Sequence, residues 1–460
     1  MAKKFDFDLI VIGSGPAGSA SAFSAKKAGL SVAIVENSLW GGSGVNYRDL
    51  PFCSATSFSN LFHDAKNGTR FGLSSKTLRF NYPVFKKWLR LSKTRSGANS
   101  KKAFETAGTT CLKGIAHFLS PFELSVGEKT YSAERFIIAS GSVLETGGII
   151  GTESVKCLTP ETALDLPRLP KSLTIIGGGS TGCEFAVFFA SLGVKVQILE
   201  LSSRLLPKED EEVGAVLEKY LEEEFKVKTL TESRVISLAN ISTDTEITYL
   251  RGASEKKLKT NVVLLATGSR PALDLGLENA GVRFNKNGII VDKHLKTSMK
   301  HIFACGDCLG GESSSERATA EGIMAVGNLI NKTNLKMDYD SFPRVVKINP
   351  EIVSLGKTEA ELKKQKEKYK KVFVPLSEIS ASNTSDFRVG FLKLIFNKKN
   401  ILLGATVMSK EAEALAGELA LIIRLKIPLE LVVSTPHVAS SFSELIHLAS
   451  EKALSQNKML

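Results

Sequence analysis

Apolar positions in this chain come in short unbroken runs that end in glycine. Phe7-Asp8-Leu9-Ile10-Val11-Ile12 runs straight into Gly13-Ser14-Gly15-Pro16-Ala17-Gly18. A short run of this kind predicts a buried parallel strand. The small residues after it predict a helix from Ser19 to Ala28, stopped by Gly29. A second apolar strand, Ser31 to Val35, ends at Glu36. The pattern then returns. Ser172-Leu173-Thr174-Ile175-Ile176 precedes Gly177-Gly178-Gly179-Ser180-Thr181-Gly182, and a predicted helix from Cys183 to Leu192 stops at Gly193. The next strand, Val194 to Leu199, ends at Glu200. Glu36 stands 23 positions after Gly13, and Glu200 stands 23 positions after Gly177. Strand, loop, helix, strand and acid thus fall in register twice, which predicts two βαβ units.

Other boundaries follow from the same pattern. Pro160 to Pro170 reads as a linker into the second unit. The apolar run Val262 to Ala266, followed by Thr267-Gly268-Ser269-Arg270-Pro271, reads as its exit. The chain turns polar around Asn331 to Phe342. Beyond Arg344, strands are predicted at Val372 to Pro375, Phe391 to Phe396 and Ile401 to Val407, with helices at Lys410 to Lys426 and Ser440 to Leu454. This predicts an α+β domain. Ala412 to Arg424 is nearly apolar all round, which predicts a helix buried on every side, with a subunit interface as one way of covering it.

Composition narrows the class. Of 460 residues, 43% are hydrophobic and 23% charged, a globular balance. Six cysteines are too few for a disulfide scaffold. The stretch from Leu9 to Ala25 is broken by Gly, Ser and Pro, and Asp6 and Asp8 precede it, so it reads as neither a membrane span nor a signal peptide. A soluble cytoplasmic protein with reduced thiols is expected. The net charge of +12 is unevenly spread: residues 66–102 hold eleven Lys/Arg and no Asp or Glu. The reading preferred here is the solvated face of a helix that buries Phe85, Trp88, Leu89 and Leu91. A peripheral contact with an anionic membrane is the second reading. With no zinc-finger spacing and no RNP-type aromatic motif, no nucleic-acid partner is expected. His301, Cys305 and Cys308 lack a second pair to complete a metal site, and no metal is expected.

The glycine loops carry the chemistry. The first glycine allows the strand-to-helix turn, the second lets backbone approach a pyrophosphate, and the third lets helix and strand pack closely. The phosphates rest on free N–H groups at the positive end of the helix. The acid about 20 residues on bonds the ribose hydroxyls. Glu36 and Glu200 hold that place. Glu200 opposes a 2′-phosphate and favours NADH, with Arg204 nearby working against that preference. Two dinucleotide sites in one chain mean two nicotinamides or a flavin fed by one, and the second is the expectation.

At this point the sequence resembles the pyridine nucleotide-disulfide oxidoreductases, such as dihydrolipoamide dehydrogenase, mercuric reductase and glutathione reductase, over essentially its whole length. Gly13 to Glu36 resembles their FAD unit and Gly177 to Glu200 their NAD unit. Phe136-Ile137-Ile138-Ala139-Ser140-Gly141 resembles the strand leaving the FAD domain. Ile302-Phe303-Ala304-Cys305-Gly306-Asp307 resembles their second FAD motif, and Pro350 to Glu359 the opening of their dimerisation domain. The resemblance implies an α/β protein with two Rossmann-like domains, for FAD and NAD(H), and an α+β C-terminal dimerisation domain. Expected segments are 1–150 and 271–340 for FAD, 151–270 for NAD(P) and 341–460 for dimerisation, in a homodimer. It assigns FAD contacts to Gly13, Gly15, Pro16, Ala17, Gly18, Glu36, Asn37, Gly42, Ser43, Ala116, Ala139, Ser140, Gly141, Asp307 and Ser315. It assigns NAD contacts to Gly177, Gly179, Ser180, Thr181, Gly182, Glu200, Val235 and Gly268.

The sequence departs from this family where the family does its disulfide chemistry. The family pattern GGTCVNxGCxPSK is met here by Gly41 to Cys53, with Gly44 and Asp49 in the two cysteine places. A disulfide needs two sulfurs about 2 Å apart, and neither position supplies one. The family's closing HxHPTxSE is met by His437-Val438-Ala439-Ser440-Ser441-Phe442-Ser443-Glu444, with Ala439 in place of the acid–base His. His437 then reads as a packing or hydrogen-bonding residue and Glu444 as a structural or unpaired acid. The family's lysine partner of Glu184 is replaced by Phe52 or Cys53. A missing cation there predicts a more easily protonated Glu184 and a lower flavin potential. Cys53, Glu184 and Asp49 are the candidate catalytic residues. The expected activity is hydride transfer from NADH to FAD, then direct transfer to a small acceptor such as a quinone or oxygen. Two alternatives are a flavin-bound sensing protein without turnover, and thiol chemistry relocated to Cys53, paired with Cys183.

Overall fold

In the computed structural model, residues 4–73, 78–331 and 333–458 are described. The first unit is a seven-stranded sheet. Its parallel part runs Thr110–Lys113, Val32–Glu36, Phe7–Ile12, Lys129–Ile138, and an antiparallel meander through Glu123–Val126 and Ala116–Ser120 extends it. Ile302–Ala304 returns from much later in the chain to pair in parallel with Lys129–Ile138. That return brings Asp307 back to the first glycine loop's sheet. Leu9, Ile10 and Val11 are fully buried because helices cover one face of the sheet, over Leu9 and Val11, and the antiparallel meander with the segment 273–291 covers the other, over Ile10. Burying each such side chain is worth about 1.5–3 kcal/mol.

The second unit repeats the design. Lys228–Leu230, Lys195–Leu199, Ser172–Ile176 and Val262–Leu265 form a parallel sheet, flanked by an antiparallel sheet of Ser233–Ile241, Asp244–Arg251 and Ser254–Thr260. The glycine helices run from Pro16 to Lys27 and from Ser180 to Ser191. Both begin three residues before the expected start, because the last glycine of each loop already lies inside the helix. The C-terminal unit is a five-stranded antiparallel sheet in the order Arg344–Val346, Glu351–Gly356, Leu402–Ser409, Phe391–Phe396, Lys370–Pro375. Helices Ala412–Leu425 and Glu444–Lys458 pack on it.

Two expectations need correcting. Pro160 to Pro170 is no loose linker: Ala163 and Leu164 are buried, and Lys86 and Lys93 hold Asp165. Part of the basic segment is therefore spent on internal contacts. On the basic helix, Tyr82–Thr106, Phe85 and Leu89 are buried, whereas Trp88 and Leu91 are about half exposed. Trp88 and Leu91 therefore do not share the buried face. The helix Ala412–Leu425 buries one face in the single chain and leaves Leu421 and Leu425 exposed, the side that a subunit interface would cover. Lys76 of the basic segment lies outside the described residues.

One apolar cluster crosses all three units. Phe52, Phe85 and Leu89 of the first pack with Phe185 and Phe188 of the second and with Val346 and Phe391 of the third. A buried charge cluster also joins the last two: Lys393 lies 2.8 Å from Glu212 and 3.2 Å from Asp210, and contacts Glu359. Among the described residues, no helix is long and apolar enough to cross a membrane.

Candidate functional site

Both glycine loops end in a helix whose first residues have no side-chain cap, so their N–H groups are left for a ligand. The close approach behind each loop is enforced by the third glycine. A Cβ on Gly18 would stand 1.9 Å from Gly13 O, and one on Gly182 1.9 Å from Gly177 O. The two acids are held alike. Glu36 accepts from Ser14 N at 3.1 Å through one oxygen and from Ser38 N at 2.7 Å through the other. Glu200 accepts from Gly178 N at 2.5 Å and Ser202 N at 2.6 Å. Arg204 donates to Pro207 O and Glu209 O.

The remaining candidates gather around these two centres. Asn37 and Ser43 are exposed. Gly114 N donates to Glu36 O, which brings the Ala116 strand beside the first acid. Ser233 N donates to Glu200 O, which does the same for the Val235 strand. Ala139 N donates to Ile12 O, Ser140 Oγ to Ala272 O, and Gly268 O accepts from Glu145 N. Asp307 accepts from Ser142 Oγ at 3.0 Å. The uncapped N–H groups, the glycine approach and the acid at the strand end fit a dinucleotide at each loop.

A cavity of about 420 Å³ opens beside the first loop, between Pro16, Phe23, Gly44, Asp49, Ser315 and Thr319. Gly44 and Asp49 meet at its wall: a Cβ on Gly44 would lie 2.8 Å from Asp49 Oδ2. Asp49 also accepts a hydrogen bond from Ser315 Oγ.

A family model described as pyridine nucleotide-disulphide oxidoreductase matches residues 7–324, and its dimerisation domain matches 342–450. The chain belongs to this family. Its members are flavoprotein oxidoreductases that bind FAD and NAD(H), and the dimerisation domain supports a homodimer. The chain is 33% identical over 364 residues to a dihydrolipoyl dehydrogenase of Bacillus subtilis, covering 77% of this chain and 78% of that one. It is 30% identical over 459 residues to a dihydrolipoyl dehydrogenase of Chlorobaculum parvum, covering 97% of each. Among solved structures, the HOCl-induced flavoprotein disulfide reductase RclA from Escherichia coli has a TM-score of 0.84 at 24% identity, over 96% of this chain and 99% of that one. LpdA from Mycobacterium tuberculosis has a TM-score of 0.86 at 22% identity, over 97% and 99%. These two structural likenesses bear on the fold alone.

Set against the family pattern, the cluster below the cavity wall is unusual. Asp49 and Cys53 lie one turn apart on the helix Asp49–Asn67. Glu184 lies on the second glycine helix and accepts from Lys347 N at 2.8 Å. The Lys347 side chain acts electrostatically on the Cys53 thiol and sits 3.6 Å from Glu413 Oε1. The expected gap in positive charge beside Glu184 is therefore filled, by a lysine from the C-terminal unit. Burial pushes the Glu184 carboxyl up to about 7, against the opposing pull of Lys347. Burial also raises the Cys53 thiol, so it stays protonated at neutral pH.

All six cysteines are free. Cys183 is fully buried and its thiol donates to Gly178 O, while Cys53 faces Lys347, so the two are not joined. Cys308 donates to Cys305 O. His301 stacks on Phe122 and reaches Pro121 O. His437 is held by Glu418 at 3.0 Å. Glu444 is partnered rather than unpaired: it accepts from Ser380 and from Ser440 N. Little in the sequence signals Lys347 or Glu413, because neither stands in a motif; only packing brings them to Cys53.

Proposed function

We propose that this oxidoreductase passes electrons from NADH through its flavin directly to a small uncharged acceptor, a quinone or oxygen, without a protein disulfide. The observation that carries the reading is the cavity wall at Gly44 and Asp49. At the pair of positions where the family pattern has cysteines, there is a glycine and a carboxylate bound to Ser315. When bound, FAD accepts a hydride from NADH and can pass electrons on singly or in pairs. For a quinone the balance is NADH + H⁺ + quinone to NAD⁺ + hydroquinone.

The chain's own residues support each part. Ala17 and Gly18 offer N–H groups to the flavin nucleotide, and Glu36 offers an acceptor to its ribose. Ser180 to Gly182 and Glu200 do the same for the nicotinamide nucleotide. Glu200 favours NADH over NADPH, and the engagement of Arg204 by backbone carbonyls leaves no cation committed to a 2′-phosphate. The cavity beside Pro16 is lined by small and apolar groups such as Ala20, Phe23 and Val45, with Asp49 as its acid. Such a lining suits a planar, uncharged acceptor better than an anionic one. Ala439 leaves no imidazole at the place from which the family pattern would supply a proton to a thiol.

The purified flavin-loaded dimer should turn over NADH with a soluble benzoquinone and show negligible reduction of lipoamide. Anaerobic titration should take up two electrons per subunit. Lipoamide reduction lost in Cys53→Ser, or uptake of four electrons, would favour relocated thiol chemistry instead. A flavin that NADH does not bleach would favour a sensing protein.

A further inference from the structure

Lys347 follows the strand Arg344–Val346 of the C-terminal unit, yet its side chain ends among residues of the other two. Val346 beside it packs in one cluster with Phe52, and the Lys347 ammonium acts electrostatically on Cys53 and Asp49. Its own N–H holds Glu184. Glu413 lies 3.6 Å from the ammonium, and Glu351 accepts from Glu413 N at 2.9 Å. One cation thus acts on Asp49, Glu184, Glu413 and Glu351, with the Cys53 thiol beside it on the Asp49 helix. Asp49 in turn forms the cavity wall with Gly44, against Pro16 of the first glycine loop. A positive charge here lies on the cofactor side of the fold, where every other ionisable neighbour just named is acidic.

We propose that Lys347 is a positioning residue of the flavin site: a cation delivered across the domain boundary, whose field stabilises the electron-rich reduced cofactor. The physical reason is that a fixed positive charge in a partly buried site favours whichever redox state carries more negative charge. Without Lys347, Asp49, Glu184 and Glu413 would oppose that state uncompensated. The geometry adds a second feature. Since the ammonium reaches Cys53 from outside the helix, a lysine placed at position 53 should put the same charge in nearly the same place. This inference rests on the flavoprotein assignment and on no particular acceptor.

The test compares Lys347→Met, Lys347→Arg and the double variant Cys53→Lys/Lys347→Met as flavin-loaded dimers. Each is brought to anaerobic equilibrium with a reference redox dye at pH 8, with neither quinone nor lipoamide present. Lys347→Met should shift the reduced-to-oxidised flavin ratio about tenfold toward oxidised, equivalent to roughly 30 mV for a two-electron couple. Lys347→Arg should restore most of the shift, and the relocated lysine should restore it as well. An unchanged ratio in flavin-bound Lys347→Met would overturn the proposal. So would a shift that neither the arginine nor the relocated lysine corrects, since that is a packing effect. If Lys347→Met does not fold, the double variant decides: a folded dimer with the original ratio supports the proposal, and a misfolded one sinks it. Because the dye replaces the acceptor, failure of quinone turnover leaves this result intact.

Discussion

Glu184 shows how one side chain reports its surroundings. Its carboxyl ordinarily titrates near 4.5 and is pushed up to about 7 by burial. Asp49 and Glu413 add to that rise, while the N–H and ammonium of Lys347 oppose it. Glu351 is raised to about 7 as well, again mainly by burial. Between pH 4.5 and 7 the folded chain therefore binds more protons at these two sites than the unfolded chain does. Stability from this pair is fully present below about 4.5, falls as pH rises toward 7, and is level above that. After allowance for partial solvent access, each site contributes on the order of 1–2 kcal/mol. Urea unfolding at a series of pH values should show a shallower slope in Glu184→Gln and almost none from this source in Glu184→Gln/Glu351→Gln. An unchanged slope in the double variant would refute the assignment. The identity of Glu184 as a candidate was legible in the sequence. The cause of its shift was not: a missing cation was expected, whereas burial raises it beside a cation that is present.

At the scale of elements, each βαβ opening is one continuous stretch, so local rules suffice to find it. The strand is apolar, the turn is glycine, and the acid ends the next strand. The structure adds how little space these parts leave. Gly18→Ala would drive a methyl to within 1.9 Å of Gly13 O, which is backbone and cannot move aside cheaply. Overpacking of this kind costs roughly 1–3 kcal/mol or more. The expected result is protein that purifies with much less flavin absorbance and unfolds at lower urea, whereas flavin-free Gly15→Ala, where a Cβ meets no protein atom within 4 Å, should unfold nearly as the flavin-free parent does. Equal flavin content in Gly18→Ala would contradict the close-packing argument. Patterns less local than this misled. Trp88 and Leu91 were read onto the buried face of a helix because they are apolar, and Pro160 to Pro170 was read as a linker because it is rich in proline. Side-chain type alone does not say which face of a long helix meets a neighbour, nor which loop is strapped down by two lysines.

At the scale of the whole molecule, a single chain leaves apolar surface uncovered. Leu421, Leu425, Leu431 and Val438 are each more than half exposed near the C-terminal helices. Such a patch is costly in water and is the expected footprint of a partner subunit. Leu421→Glu/Leu425→Glu should raise the dimer dissociation constant at least a hundredfold, seen as a shift to monomer in light scattering after gel filtration. A dimer that persists at nanomolar concentration would place the interface elsewhere. The same substitutions leave the apolar cluster around Phe52, Phe188 and Phe391 untouched, so the secondary structure by circular dichroism should not change.

The two nucleotide-binding units, the α+β end and the presence of Gly44, Asp49 and Ala439 are legible along the chain. These are properties of contiguous residues, fixed by strand periodicity, turn geometry and side-chain chemistry. What surrounds them depends on how distant segments pack. Cys53, Glu184 and Lys347 belong to three separate units, and they meet because one apolar core draws those units together. A charge's effect depends on distance and burial, neither of which is written in the order of residues along the chain.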